Sequence, residues 1–246
     1  MLAERYAEAA RAAIDKIERT QMDNIRRAGD AIAAALANGG AFWLYRIGHG
    51  GDMDFLHRAG GLMAARSFSF RFEVSSPVPE ALKGRPRPQA VDAELEAVRL
   101  AVRSSEMRSG DALMLASVSG RNRVPVELAL AAREIGVSVI GLTSTEYTSR
   151  VESAHPSGRK LCDVADIVID SCAPFGDACV EVPGYEHRAL PISGLTHIAI
   201  GWMVCAAAIE RMLALGKQPH IYQSVNRPGG VEYNQRAEAE YEKLGY

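Results

Sequence analysis

The chain has 246 residues, 48% of them hydrophobic and 24% charged, with a formal net charge of −2. That is enough apolar material to bury a sizeable core in one large domain or two small ones, and the charge balance excludes a general nucleic-acid binder. The four cysteines, Cys162, Cys172, Cys179 and Cys205, form no CxxC pair, which points to reduced cytoplasmic thiols rather than a disulfide frame or a zinc site.

Residues 1–40 read as helix, stopped at Ala37-Asn38-Gly39-Gly40 and broken near 20–23 into two helices or one kinked one. Charge and alanine run from the third residue onward, unlike a secretory signal. Residues 41–47 (AFWLYRI) form a first strand, followed by the turn Gly48-His49-Gly50-Gly51, a helix over 52–65 and an alternating strand over 67–74. A loop rich in proline and basic residues spans 76–89, and a helix over 91–107 follows. Next come a strand around Leu113, a helix from Val124 to Ile135, and strands over 137–142 and 166–170. A long apolar helix over 192–215 closes at Gly216. Its apolar run, 198–209, is too short to cross a bilayer and reads as buried, so no membrane partner is expected.

Residues 144–160 and the tail from Gln218 read as polar and irregular. The β/α alternation predicts one doubly wound parallel α/β domain, with helices at 1–40 and a C-terminal extension at 218–246. Such sheets bind ligands beyond the carboxyl ends of their strands.

The most informative stretch is Ser117-Val118-Ser119-Gly120-Arg121-Asn122. An apolar strand ends in two hydroxyls and a glycine, and a helix begins near Val124 with Pro125 in its first turn. Free backbone N–H groups, the positive end of a helix dipole and short donors suit an anion such as phosphate. The same residues also read as an N-cap and an ordinary strand end.

The polar clusters at successive strand ends, Gly48-His49-Gly50-Gly51, Ser117 to Asn122, and Leu142-Thr143-Ser144, together resemble the SIS (sugar isomerase) domain, a flavodoxin-like three-layer sandwich. The likeness extends to a group of SIS-domain phosphosugar-binding proteins through Arg58-Ala59-Gly60-Gly61, Ser157-Gly158-Arg159-Lys160, Asp163-Val164-Ala165-Asp166, Gly176-Asp177-Ala178 with Glu181, Asn226 and Gly229-Gly230. The resemblance implies that Ser117, Ser119 and Asn122, with the backbone of Gly120 and Arg121, hold a phosphate. It implies that Gly48, Gly50 and Asp52 of the first loop, with Thr143 and Ser144, flank the sugar, and that Ser193 and Thr196 complete the pocket. Asp52 departs from the neutral donor common in that loop, because a carboxylate near phosphate repels unless it points away.

Aldose–ketose interconversion through an enediol needs a base, oxyanion donors and a helper for ring opening. Asp54 and His57 fall on one face of the expected helix, His49 lies in the ligand-facing loop, and His155 lies in a long polar loop suited to a lid. These four are the candidate acid–base groups. Arg121 is a further anion donor, and Asp177 and Glu181 read either as sugar-hydroxyl ligands or as exposed charges. The spacing of His49, Asp52 and Asp54 is too generic for a metal site, and no cofactor is expected. A nicotinamide site built on Gly48-x-Gly50 with Glu73 fails at Met53, where a third glycine belongs. A phosphosugar sensor without turnover and a sugar-phosphate lyase or etherase stand as alternatives. The chain carries no helix-turn-helix module. A homodimer or homotetramer with site residues shared across the interface is expected.

Overall fold

Described over residues 1–47, 51–86 and 91–246, the structure is a computed structural model. It opens on a single helix, α1 (Leu2–Ala37), whose buried residues Ile17, Ile25, Ala28, Ile32 and Leu36 mark one continuous face. The expected break at 20–23 is absent. Thr20 donates its hydroxyl to the Lys16 carbonyl at 2.7 Å, and Asp23 pairs with Arg26 one turn on, so these polar residues are satisfied inside the helix. The helix ends at Asn38, and Gly39 follows with a φ of 81°.

A five-stranded parallel sheet follows, in the order β2-β1-β3-β4-β5. Its strands are β1 (Phe42–Tyr45), β2 (Ala65–Ser67), β3 (Ala112–Ala116), β4 (Ser138–Thr143) and β5 (Ile167–Asp170). Every residue of β3 is buried, as a central strand covered on both faces requires. Met114 and Ile140 face α1 and α6 (Ser193–Ala214), whereas Leu113 and Val139 face α2 (Ala93–Ser104) and α3 (Arg123–Glu134). A short helix, α5 (Leu161–Val164), completes the second face, and another, α4 (Thr145–Ser149), follows β4 at the carboxyl edge, where the Thr145 N–H bonds Asp170. The expected doubly wound three-layer sandwich is thus present. Helices α1 and α6 meet at Gly29, where a Cβ would come within 2.5 Å of the Ala207 Cβ.

By length and composition α6 would serve as a membrane span, but Ile200, Val204, Ala208 and Met212 are buried against α1 and the sheet. Helix α1 is about 54 Å long from its 36 residues, roughly three times a five-residue strand. Gln21 accepts the Asp170 N–H at the carboxyl end of β5. Residues before Gln21 therefore stand above the carboxyl edge of the sheet, where Tyr6 bonds the Pro191 carbonyl and Arg5 the Glu181 carbonyl. Both partners lie on or beside an antiparallel hairpin, β6 (Ala178–Val180) and β7 (Ala189–Pro191), that the sequence did not announce.

Three further expectations need correction. The segment 52–65 is not a helix: a 3-10 turn over Gly51–Asp54 gives way to turns with positive φ at His57 (50°) and Gly60 (84°). Its backbone bonds the C-terminal segment instead, Gly60 N–H to Tyr222 and Met63 N–H to His220. The segment 67–74 leaves the sheet after Phe68, whose N–H bonds Leu44 at 2.8 Å; Phe68 and Phe70 gather around Tyr45, and this cluster explains the alternation. The tail from Gln218 is not irregular throughout, because α7 (Gly230–Leu244) packs Ala237 beside Met63 and Tyr222.

Candidate functional site

Strand order reverses between β1 and β3, since β1 leads outward to β2 and β3 leads outward to β4. A crevice opens at the carboxyl ends of such a pair. After Ala116 the chain turns through Gly120, which has a φ of 64°. A Cβ there would lie 2.9 Å from Thr143 Oγ1 and 3.0 Å from Thr148 Oγ1, so both backbone and space demand glycine.

The carbonyls of this turn are held from behind. Val118 O accepts from the Ser144 N–H (2.9 Å) and the Thr143 hydroxyl (3.1 Å), and Ser119 O from the Thr148 hydroxyl (3.0 Å). Gly120 O accepts from the Leu161 N–H (2.8 Å) and Arg121 O from the Ala154 N–H (3.0 Å). With the oxygens turned back, the N–H groups of Ser119, Arg121 and Asn122 have no acceptor among the described residues. The first-turn N–H groups of α3 add to them. Asn122 is the N-cap of α3, yet its side chain makes no capping bond.

Ser117 Oγ has no hydrogen-bond partner among the described residues although the residue is only 8% exposed. A buried hydroxyl left so costs about 1–3 kcal/mol. Arg121 is exposed and in no ion pair among the described residues. The turn is therefore an array of donors without acceptors, the arrangement an anion fits.

Other candidate residues hold the frame. The Thr143 and Thr148 hydroxyls lie side by side behind Gly120, their oxygens 3.0 Å apart, each turned to a carbonyl of the turn. Ser144 caps α4 by accepting the Tyr147 N–H, and donates to the Ala173 carbonyl at 2.6 Å. At the start of α6, Ser193 donates its N–H and hydroxyl to Asp177 (2.8 and 2.7 Å), and Thr196 donates to the Ser193 carbonyl. Asp177 is thus a helix cap. Glu181 pairs with Arg188 at the surface.

Asp52 is buried, and both its oxygens are engaged, by the Ile47 N–H (3.1 Å) and the Ser67 hydroxyl (2.6 Å). Its charge is tied into the strand ends. Gly48, His49 and Gly50 lie outside the described residues.

Without the expected helix, Asp54 and His57 share no face. Asp54 contacts Arg58 at 3.4 Å and His57 packs against the Tyr222 ring. His155 is buried with both ring nitrogens engaged. The Ser157 N–H, which can only donate, points at Nδ1 (3.2 Å), so Nε2 carries the proton toward Glu127 Oε2 at 2.7 Å. Glu127 is 3% exposed, and its other oxygen accepts from Arg99 of α2. This network ties residues 153–161 to α3, and that segment supplies two of the bonds behind Gly120 and Arg121. The sequence shows Glu127 only as one acid in an apolar helical stripe. Burial pushes all four thiols up, Cys205 to about 12, so none is a ready thiolate.

A flavodoxin-like sheet with a donor-rich turn at its switch point defines a doubly wound α/β protein suited to an anionic ligand. The chain belongs to the SIS domain family, whose model matches residues 5–144. It is 37% identical over 242 residues to a UPF0309 protein of Streptomyces griseus, covering 98% of this chain and 95% of that one. It is 33% identical to a UPF0309 protein of Caldanaerobacter subterraneus, with 97% and 96% covered. Among solved structures, it resembles phosphoheptose isomerases from Neisseria gonorrhoeae (TM-score 0.52) and Francisella tularensis (0.50). Each is 18% identical, with 84% of this chain and 96% and 95% of theirs covered. At that identity the likeness is one of fold.

Proposed function

We propose that this protein binds a phosphorylated sugar and interconverts its aldose and ketose forms through an enediol. The observation that carries the reading is the turn at 117–122, whose carbonyls are bonded from behind while the N–H groups of Ser119, Arg121 and Asn122 and the Ser117 hydroxyl have no partner among the described residues. A phosphate there gains several charge-assisted bonds, each about 1.5–3 kcal/mol. The bonding of Asp52 to Ile47 and Ser67 supports the reading, because it ties up the carboxylate that would repel phosphate. The fold shared with phosphoheptose isomerases supports the reading as a sugar-phosphate isomerase.

Of the described acid–base candidates, Asp54 is the carboxylate that keeps solvent access beside the first loop, and we assign it the base. His155 serves as a positioning residue, since both of its nitrogens are engaged. A thermal-shift screen of phosphorylated aldoses and ketoses against the free sugars and inorganic phosphate tests the binding. A shift with one phosphosugar alone supports it, and no shift with any refutes it. Asp54→Asn should then keep binding and lose turnover; retained turnover moves the base elsewhere. Binding without turnover by the native protein would make it a sensor.

We also assign it to the cytoplasm as a homodimer or homotetramer. The projecting half of α1 and the outward side chains Leu195 and Leu213 of α6 offer the partner surface. Size-exclusion chromatography with light scattering checks this.

A further inference from the structure

Arg46, one residue past the Tyr45–Leu115 pairing of β1 with β3, lies at the carboxyl end of the strand beside the one that leads into the turn at 117–122. Neighbouring strands lie about 4.8 Å apart, so its backbone sits close to Ala116 and Ser117. It adopts a φ of 53°, a left-handed conformation that an arginine enters only at a cost. Its guanidinium lies over the Tyr45 ring, 5.4 Å from the centroid, which restrains a long side chain. It is exposed and in no ion pair among the described residues. The nearby acid, Asp52, is committed to Ile47 and Ser67.

Two arginines without an ion pair among the described residues, Arg46 just past β1 and Arg121 in the turn before α3, therefore follow the carboxyl ends of the two strands that bound the crevice. The donors of the turn and Arg121 already suffice for one phosphate. From this geometry we infer that the ligand carries a second anionic group, a carboxylate or a second phosphate, received by Arg46. The inference rests on the phosphosugar reading and narrows it to phosphorylated sugar acids or sugar bisphosphates. A planar guanidinium suits either group through paired N–H bonds.

The test is calorimetric titration with two matched pairs, 6-phosphogluconate against glucose 6-phosphate and fructose 1,6-bisphosphate against fructose 6-phosphate. The wild type should bind the doubly anionic member of at least one pair tenfold or more tightly. Which pair shows the preference identifies the second group as carboxylate or phosphate. Arg46→Gln should abolish the preference and leave the monophosphate affinity unchanged. Arg46→Gly, which takes the positive φ without strain, should lose the preference with no fall in melting temperature.

A wild type without preference overturns the inference and leaves the phosphosugar reading standing, as does a preference that survives Arg46→Gln. Equal weakening of both members by Arg46→Gln places Arg46 on the first phosphate and also overturns it. If the wild type binds none of the four, the inference falls, and the wider phosphosugar screen decides the phosphosugar reading separately.

Discussion

Replacing His155 by alanine tests how the turn at 117–122 is held. The change removes the imidazole between Glu127 and Ser157 and leaves a carboxylate 3% exposed with Arg99 as its remaining partner. The lost bond goes to a charged acceptor, so it is worth about 1.5–3 kcal/mol. For a chain of this size that corresponds to a fall in melting temperature of roughly 3–12 °C, at about 2–4 °C per kcal/mol. Ser157→Ala, at the exposed end of the network, removes a neutral hydroxyl bond of 2.8 Å and should cost only about 0.5–1.5 kcal/mol.

Because residues 153–161 bond the carbonyls of Gly120 and Arg121, His155→Ala should also weaken phosphosugar affinity although His155 lies behind the turn. Differential scanning calorimetry and urea titration give the stability, and calorimetric titration gives the affinity. A His155→Ala protein as stable as wild type would refute the energetic reasoning. A destabilised one with unchanged affinity would refute the link between the network and the turn.

Ser117→Ala removes a buried hydroxyl with no partner among the described residues and should leave the unliganded protein as stable or about 1 kcal/mol more stable, while weakening phosphate binding. Ser144→Ala should instead destabilise by roughly 1–3 kcal/mol, because its hydroxyl bonds both Ala173 and Tyr147; equal effects of the two changes in urea titration would contradict the hydrogen-bond assignments. Gly120→Ala should cost at least about 1–2 kcal/mol for the left-handed backbone alone and abolish ligand binding, since the added carbon meets Thr143 and Thr148; a stable, ligand-competent variant would show that the turn can rearrange. At pH 8 a thiol reagent should leave Cys205 unmodified in the native protein, as it is 3% exposed and its pKa is raised to about 12; full labelling before denaturation would refute that burial.

The sheet and the turn at 117–122 were legible because their signals are local. The apolar run into Ser117, the glycine at 120 and Pro125 in the first turn of α3 each constrain the backbone where they stand. The segment 52–65 misled because its partners are remote: the C-terminal segment around Ile221 takes its hydrogen bonds, and Asp52 spends its carboxylate on Ile47 and Ser67. Helix α7 went unread because its alternating charges hide a narrow apolar face whose partner, Met63, lies far away in sequence. Among the site residues, Thr143 and Ser144 look like ligands by type and position, but the structure turns their hydroxyls to neighbouring backbone. The role of Glu127 could not be read at all, since it depends on a histidine 28 residues away.

The family model ends at residue 144, whereas three of the struts behind the turn, Thr148, Ala154 and Leu161, come later in the chain. A chain that stops at the end of β4 thus carries the six residues of the turn without three of the bonds that turn its carbonyls back. The donor array proposed for phosphate is completed by residues up to 161, which the motif itself does not contain. Transplanting the six residues into another sheet should therefore move the letters without the conformation. Sequence drift in the 145–161 segment can reshape the turn while every residue of the motif stays in place.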